Sequence, residues 1–289
     1  MIQPKILKNN LKTVVYPLRS TEAITIMILI GVGSRDENQS LRGISHFLEH
    51  MFFKGGQKYK TAQDVALAID SVGGDFNAFT GKEYTGYYVK TAKENVDVAF
   101  SVLSDMMMNA RFDQFEIEKE RGVILEEFNL YQDTPMYQIG WDFEHLLFGN
   151  QPLGWDQIGT KDNIRRFNQE DFINYKNDFY TEDNTTIVIA GNIDEDEGYR
   201  KIGEYFDFKN SVKIKGRVPY VKMPQGDKIS ITEKNTEQGH MVMGYLGVPF
   251  GDEREAASKL LSVVLGGNMS SRMFTEIREK RGLCYSVST

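Results

Sequence analysis

One segment constrains the fold more than any other, and it reads His46-Phe47-Leu48-Glu49-His50. Its three polar side chains can act together only on a helix. An α-helix advances about 100° per residue, so His46, Glu49 and His50 fall within an arc of about 100° on one face. The 289-residue chain has only four histidines. Two of them around one carboxylate therefore indicate a built site and not a chance cluster.

This spacing suits a metal ion. Two neutral imidazoles one helical turn apart can bind one Zn²⁺ at about 2.0–2.1 Å, with Glu49 placed to accept a proton from a water molecule. The order H-x-x-E-H is the reverse of the commoner H-E-x-x-H and is the inverzincin signature. Hydrolytic zinc usually has three protein ligands and a water. The sequence therefore predicts a third ligand from elsewhere in the chain.

Charge and hydropathy exclude several other classes of protein. The net charge is -7 and no basic patch stands out, which argues against a nucleic-acid partner. The longest apolar run, 23–30, is far shorter than the roughly 20 residues that cross a bilayer, and it is typical of a buried strand. The first residues lack a signal-peptide pattern. We therefore expect a cytoplasmic protein without a transmembrane segment.

Hydrophobic periodicity predicts an α+β first unit that covers residues 1–210. Strands are expected at 12–17, 22–32 and 185–190, and within 75–90 as two strands that turn at Gly81-Lys82. Helices are expected around His46 and at 61–71, 94–109, 113–131, 135–147 and 169–179. Asp113 is the predicted N-cap of its helix, with Glu116 as the capping-box partner.

The order of elements then begins again over 227–289, after a linker at 211–226. Strands are predicted at 228–233, 240–248 and 283–288, and helices at 252–265 and 271–281. Because the second copy is shorter than the first, we expect an incomplete second domain and a truncated chain. The single Cys284 can form no internal disulfide and is expected to be a small core residue.

The acidic helix predicted at 113–131 is the obvious source of a third metal ligand. Its glutamates are Glu116, Glu118, Glu120, Glu126 and Glu127. Glu120 and Glu127 are seven residues apart, so they share a face and can both point toward the histidines. Periodicity alone does not choose between Glu126 and Glu127.

Five motifs spread over nearly the whole chain carry a family resemblance. They are HFLEHMFFKG at 46–55, GDFNAFT at 74–80, ERGVILEE at 120–127, QPLG at 151–154 and MSSRMF at 269–274. With them the chain resembles the M16 metallopeptidases, the family of pitrilysin, insulin-degrading enzyme and mitochondrial processing peptidase. The resemblance implies a short member with two homologous α/β-sandwich domains of the LuxS and mitochondrial-processing-peptidase type. Antiparallel or mixed sheets would pack against helices, and the second domain would be incomplete.

The resemblance also implies the role of each residue in the metal site. His46 and His50 would be ligands of one zinc ion per chain, Glu127 the distal ligand and Glu120 its helper. Glu49 would be the general base that takes a proton as water attacks and passes it to the departing amine. Zinc would activate the water and polarise the scissile carbonyl.

Substrate contacts are implied at two further places. The segment Asn77-Ala78-Phe79-Thr80 would form an edge strand in which Asn77, Ala78 and Phe79 bind an extended peptide through main-chain hydrogen bonds. The residues alone equally allow an ordinary core strand. Arg278 and Tyr285 would donate hydrogen bonds to the tetrahedral oxyanion. Without the resemblance, the same two residues indicate a surface arginine and a half-buried tyrosine.

We therefore expect a zinc-dependent endopeptidase that hydrolyses unfolded peptides or presequence-like segments. Relatives enclose substrate between two halves of a clam-shell, so a homodimer or a heterodimer with another M16 subunit is expected. The alternative is a non-catalytic structural or regulatory subunit, but such subunits typically lose motif residues that this chain keeps. His145 and His240 are expected to be structural because neither lies in a metal spacing.

Overall fold

The computed structural model describes residues 4–8, 10–208, 217, 219–221 and 229–289. The chain divides into two compact units, Met1–Val242 and Met243–Thr289. Most of the predicted linker 211–226 lies outside the described residues, and the domain boundaries inferred from the sequence stay a prediction.

A mixed sheet forms the centre of the first unit. Its strands are β1 (Lys5–Ile6), β2 (Lys12–Pro17), β3 (Ala23–Ile30), β4 (Asp75–Thr80), β5 (Thr85–Ala92) and β6 (Thr185–Gly191). Within the described residues the strands lie in the order β1-β2-β6-β3-β5-β4. β2 and β6 pair in parallel, and the other neighbouring strands pair antiparallel. The predicted α+β class with a mixed sheet is confirmed.

The central strand β3 shows how the sequence builds the core. Ile24, Ile26, Ile28 and Ile30 are almost completely buried, whereas the residues between them are half-buried. Successive side chains of a strand point to opposite faces of the sheet, so the isoleucines cover one face. Burying each such side chain stabilises the fold by about 1.5–3 kcal/mol. The apolar run 23–30 is therefore the buried strand that the sequence predicts.

Several helices pack against this sheet. The helices of the first unit are α1 (Ile44–Phe52), α2 (Ala62–Asp70), α3 (Val96–Asn109), α4 (Gln114–Asp133), α5 (Pro135–Phe148), α6 (Lys161–Arg166), α7 (Gln169–Phe179) and α8 (Glu195–Tyr205). The second unit contains α9 (Glu255–Gly266) and a π-helical segment, Phe274–Glu279. The sequence predicted neither α6 nor α8. In the described residues, no helix combines the length and apolar character needed to cross a membrane.

The capping box predicted at the start of α4 is wrong. Asp113 does occupy the N-cap position, but its side chain makes no capping hydrogen bond. Its carboxylate lies 2.8 Å from Arg111, and the carboxylate of Glu116 lies 2.7 Å from Lys119. These ion pairs engage both side chains that the sequence pattern assigned to backbone N–H groups.

The strands predicted in the last part of the chain are also wrong. Residues 229–233, 240–248 and 283–288 have no strand, and residue 228 lies outside the described residues. A strand is stabilised by the backbone of a neighbour, and no described strand pairs with these segments. Apolar alternation therefore did not suffice to form strands here. Cys284, expected in a core, is only half-buried.

Candidate metal centre

The Glu37 carboxylate fixes the start of α1. Its two oxygens accept the backbone N–H groups of Gly43 and Ser45, each at 2.8 Å. Such first-turn donors have no partner within their own helix. Gly43 has a φ of 96°, and a Cβ there would lie 2.5 Å from the carbonyl oxygen of Ile158. Burial raises the pKa of Glu37 to about 8. Sequence reasoning missed this residue, which has no motif to mark it.

α1 buries one face and presents the other to the site. Phe47 and Leu48 are fully buried, and the ring of Phe47 packs 4.9 Å from that of Phe172. His46 and His50 leave the helix on its other face, and their ring centroids are 4.7 Å apart. The helix therefore has the orientation that the H-x-x-E-H spacing predicts.

α4 brings Glu127 to the two histidines. Its carboxylate oxygens lie 3.7 Å from Nε2 of His46 and 3.6 Å from Nε2 of His50. One possible ligand atom from each of the three residues lies within 4.8 Å of the others. Glu126, the alternative that periodicity left open, is exposed. Among the described residues, it does not belong to this cluster.

The three side chains fit a zinc ion. Two ligands at 2.0–2.1 Å from a tetrahedral ion are about 3.3–3.4 Å apart, close to the 3.6 and 3.7 Å between the carboxylate of Glu127 and the two imidazoles. Two imidazole nitrogens and a carboxylate oxygen are also a donor set of known catalytic zinc sites, in which a fourth position stays open. The geometry therefore supports His46, His50 and Glu127 as the ligands.

Glu120 supports His50 from the side away from the cluster. Its Oε1 lies 2.8 Å from Nδ1 of His50, and its Oε2 lies 2.5 Å from the ammonium group of Lys54. Burial would raise the pKa of Glu120, but His50 and Lys54 outweigh it and lower that pKa. Burial would lower the pKa of His50, but Glu120, together with Glu127 and Glu49, outweighs it and raises that pKa. An ionised Glu120 holds a proton on Nδ1 and leaves Nε2 turned toward Glu127.

His46 has no comparable support. Its Nδ1 is buried and has no hydrogen-bond partner in the part of the chain that the structure describes. Burial and the nearby charge of His50 lower the pKa of His46 to about 3. The ring is therefore neutral at physiological pH, which is the form that binds a metal.

Glu49 is held by Thr80, the last residue of β4. The Thr80 hydroxyl donates a hydrogen bond to Oε2 of Glu49. Burial raises the pKa of Glu49, and the hydrogen bond from Thr80 and the charge of His50 offset only part of that effect. A carboxylate with a raised pKa suits a group that takes up and returns a proton. Sequence reasoning included Thr80 in the predicted substrate strand but missed its hydrogen bond to Glu49.

Glu127 also has a polar partner. Tyr131, one helical turn further along α4, lies near its carboxylate and favours the ionised form, and the Tyr131 ring packs 4.9 Å from that of Trp141. Burial raises the pKa of Glu127, while His50 and Tyr131 partly offset that effect. In the sequence, the i, i+4 spacing between Glu127 and Tyr131 could have indicated that the two side chains are neighbours.

β4 lies at an open edge of the sheet, next to β5. The N–H of Gly81 donates to the Tyr84 carbonyl at 2.8 Å, so these two residues form a hydrogen-bonded pair at the turn between β4 and β5. Hydrogen-bonded and non-hydrogen-bonded pairs alternate along an antiparallel ladder, so the pair of Ala78 and Tyr87 is non-hydrogen-bonded and the backbone groups of Ala78 point to the open side. Asn77 Oδ1 accepts the N–H of Ala78 at 2.8 Å, and the side chains of Asn77 and Phe79 are exposed. The strand therefore lies at an edge, as the resemblance implies. That a peptide pairs with it stays a prediction.

Arg278 and Tyr285 belong to the second unit, where they contact each other. The Arg278 guanidinium lies 5.7 Å from the ring centre of Tyr285 and 4.6 Å from that of Phe274. Tyr285 is 87% exposed, not half-buried. Their action on an oxyanion stays a prediction. His145 and His240 are exposed. Neither belongs to the metal cluster that the described residues form.

Known protein families match both halves of the chain. The family described as Insulinase (Peptidase family M16) matches residues 13–148, and the Peptidase M16 inactive domain matches residues 166–289. An uncharacterized zinc protease of Bacillus subtilis, YmxG, is 38% identical over 99% of this chain. An uncharacterized zinc protease of Streptomyces coelicolor is 35% identical over 97%. The chain spans 69% and 62% of the length of these two relatives.

Solved structures share the fold. A protease from Helicobacter pylori has a TM-score of 0.87 and 24% identity, with 100% of this chain and 70% of that chain covered. A Peptidase M16 inactive domain structure from Pseudomonas fluorescens has a TM-score of 0.83 and 18% identity, with the same coverage of the two chains, 100% and 70%. At this level of identity the comparison supports the fold and not the chemistry.

Proposed function

The chain belongs to the M16 peptidase family, and from this premise we propose that it is a zinc-dependent endopeptidase of unfolded peptides or presequence-like segments. The observation that supports the proposal most is the convergence of possible ligand atoms from His46, His50 and Glu127 within 4.8 Å. Glu49 leaves the same helix beside them. The names of the relatives, zinc proteases, point the same way.

In this proposal each residue of the centre has one task. His46, His50 and Glu127 hold one zinc ion per chain. Bound zinc supplies a Lewis acid that polarises a carbonyl and makes water a nucleophile near neutral pH. Glu49 accepts the proton of the attacking water and passes it to the departing amine. Thr80 keeps the Glu49 carboxylate oriented through its hydrogen bond.

The substrate is proposed to pair with β4 along Asn77, Ala78 and Phe79. Main-chain pairing holds any extended segment and demands little of its sequence, which suits unfolded peptides. Arg278 and Tyr285 are proposed as donors to the oxyanion, from the same chain or a partner. A homodimer or a heterodimer with another M16 subunit, and a cytoplasmic location, are likewise proposals.

The alternative function is that of a non-catalytic M16 subunit. The description as an inactive domain applies to residues 166–289. His46, Glu49, His50 and Glu127 all lie outside that match and inside the other one, 13–148. This distribution favours the enzyme, because the half of the chain with the metal residues matches the peptidase description.

Bound zinc per chain, measured by elemental analysis, tests the proposal. We compare the wild type with Glu127→Gln and with its matched control Glu126→Gln, and follow cleavage of a quenched unstructured peptide in parallel. Zinc and cleavage should both be lost with Glu127→Gln alone, because Glu126 is exposed and outside the cluster. A wild type that binds zinc but cleaves no peptide would favour the non-catalytic subunit.

The general base has its own test. Glu49→Gln preserves the size of the side chain and leaves the ligand set intact, so the variant should retain one zinc per chain. It should lose peptide cleavage, because an amide cannot accept the proton. Unaltered turnover would contradict the assigned mechanism.

A further inference from the structure

We propose that Lys54 is a positioning residue of the metal centre. Its ammonium group holds the Glu120 carboxylate on Nδ1 of His50, and so keeps Nε2 of His50 turned toward Glu127. The inference rests on the proposed zinc site, and it adds a residue that no motif reading assigned to that site.

The end of α1 places Lys54 for this task. α1 ends at Phe52, and the Lys54 N–H donates to the Met51 carbonyl at 3.1 Å, so the side chain begins from a fixed point one turn beyond His50. From there its ammonium reaches within 2.5 Å of Glu120 Oε2, while Oε1 of the same carboxylate lies 2.8 Å from His50 Nδ1. Each carboxylate oxygen thus has one partner.

Burial distinguishes this ion pair from an ordinary surface pair. The Glu120 side chain is 7% exposed, whereas in the Lys119–Glu116 pair of the same helix the side chains are 55% and 27% exposed. An exposed pair contributes little, but a buried carboxylate needs a partner at each oxygen. Without Lys54, Oε2 of Glu120 would lack its partner, and the carboxylate would turn toward water and away from His50.

His46 makes the site dependent on this support. Its Nδ1 has no hydrogen-bond partner within the described residues, so Glu120 is the carboxylate that orients an imidazole of the centre. Removal of an outer partner of a metal-binding histidine typically lowers metal affinity about 10–100-fold. The zinc affinity of the protein should therefore report the contribution of Lys54 even without an activity assay.

The test is the apparent zinc dissociation constant, measured by competition with a chromophoric chelator on the full 289-residue chain. Lys54→Met should weaken zinc binding about tenfold. If Lys54→Met does not fold, Lys54→Gln replaces it in the measurement and should weaken zinc binding to the same extent. Lys54→Arg keeps the cation and should bind zinc as the wild type does. Lys119→Met removes the exposed ion pair between Lys119 and Glu116 of α4 and should leave the zinc dissociation constant unchanged.

A double-mutant cycle separates positioning from general stability. Glu120→Gln alone should weaken zinc binding, and adding Lys54→Met should weaken it no further, because Lys54 acts through Glu120. Wild-type zinc affinity in Lys54→Met, or an equal loss in the Glu120→Gln background, would overturn the inference. A wild-type chain that binds no zinc would overturn the proposed function, and this inference with it.

Discussion

His46 and His50 lie one helical turn apart in the same motif, yet their surroundings are opposite. Nδ1 of His50 lies 2.8 Å from the buried carboxylate of Glu120, whereas Nδ1 of His46 is buried and has no partner in the described chain. The pKa of His50 is raised by Glu120 together with Glu127 and Glu49, whereas burial and the charge of His50 lower the pKa of His46 to about 3. The motif places both rings, but the neighbouring elements decide which form of each ring is stable.

Glu49 resembles His50 and not His46 in this respect. It accepts a hydrogen bond from Thr80 of β4, just as His50 is held by Glu120 of α4. His50 and Glu49 are therefore held by hydrogen-bond partners from other elements, whereas Nδ1 of His46 has no such partner among the described residues.

Replacing each histidine by leucine should give the largest difference. His50→Leu leaves the buried pair of Glu120 and Lys54 without its third member, so the metal-free protein should lose about 2 kcal/mol of unfolding free energy. His46→Leu removes a buried nitrogen that has no partner and should change it by less than about 1 kcal/mol. Denaturant unfolding in the presence of a chelator measures both. Equal losses of unfolding free energy in the two variants would show that the surroundings of His46 and His50 do not differ in their contribution to stability.

Thr80→Val should lower kcat about tenfold, which corresponds to about 1.4 kcal/mol, because it removes the hydroxyl that orients Glu49. KM and bound zinc should stay unchanged, since neither histidine is touched. Thr80→Ser keeps the hydroxyl and should retain most of the activity. If valine and serine behave alike in steady-state kinetics, the hydrogen bond has no catalytic importance.

The contribution of His46 to the stability of the metal-free protein should fall as the pH is lowered from 6.5 toward 3. In this window the unfolded chain protonates His46 and the folded chain does not, because the folded-state pKa is lowered to about 3. The loss from this residue should be about 1 kcal/mol between pH 6.5 and 5.5. The contribution of His50, whose pKa is raised, has the opposite sign: it is complete below the unfolded-state pKa and lost as the pH rises through the folded value.

Unfolding measured across this pH range for the wild type and His46→Leu isolates the effect. The difference in unfolding free energy between the two proteins should grow in favour of the variant as the pH falls. A difference that does not depend on pH would show that His46 is protonated in the folded chain.

The smallest effect is expected on the titration of the rings themselves. Glu120→Gln retains a hydrogen-bond acceptor but removes the negative charge, so the pKa of His50 should fall while that of His46 stays where it is. Nuclear magnetic resonance of the imidazole protons in the metal-free protein follows both. An unchanged pKa of His50 would show that Glu120 does not govern this ring.

Local patterns predicted those parts of the fold that depend on local geometry. The buried strand β3, the hairpin of β4 and β5, and the helices α2, α4 and α7 all appear within two residues of the expected bounds. The strands predicted at 228–233, 240–248 and 283–288 are absent from the described residues of these segments, because a strand also needs a neighbouring backbone. The capping box of α4 failed because Arg111 and Lys119 compete for the carboxylates.

The sequence by itself determined that His46, Glu49 and His50 share a face, because helical geometry links residues three and four apart. Helical periodicity left Glu126 and Glu127 open, and only the family resemblance pointed to Glu127 before the tertiary structure brought it to the histidines. The physical basis of that choice is the rotation of α4 as it buries Ile117, Ile124 and Phe128. Only the tertiary structure brought the partners Thr80, Lys54 and Tyr131 to the site. They belong to the site through packing of α1 against α4 and β4, and packing depends on contacts between distant residues that no local period encodes.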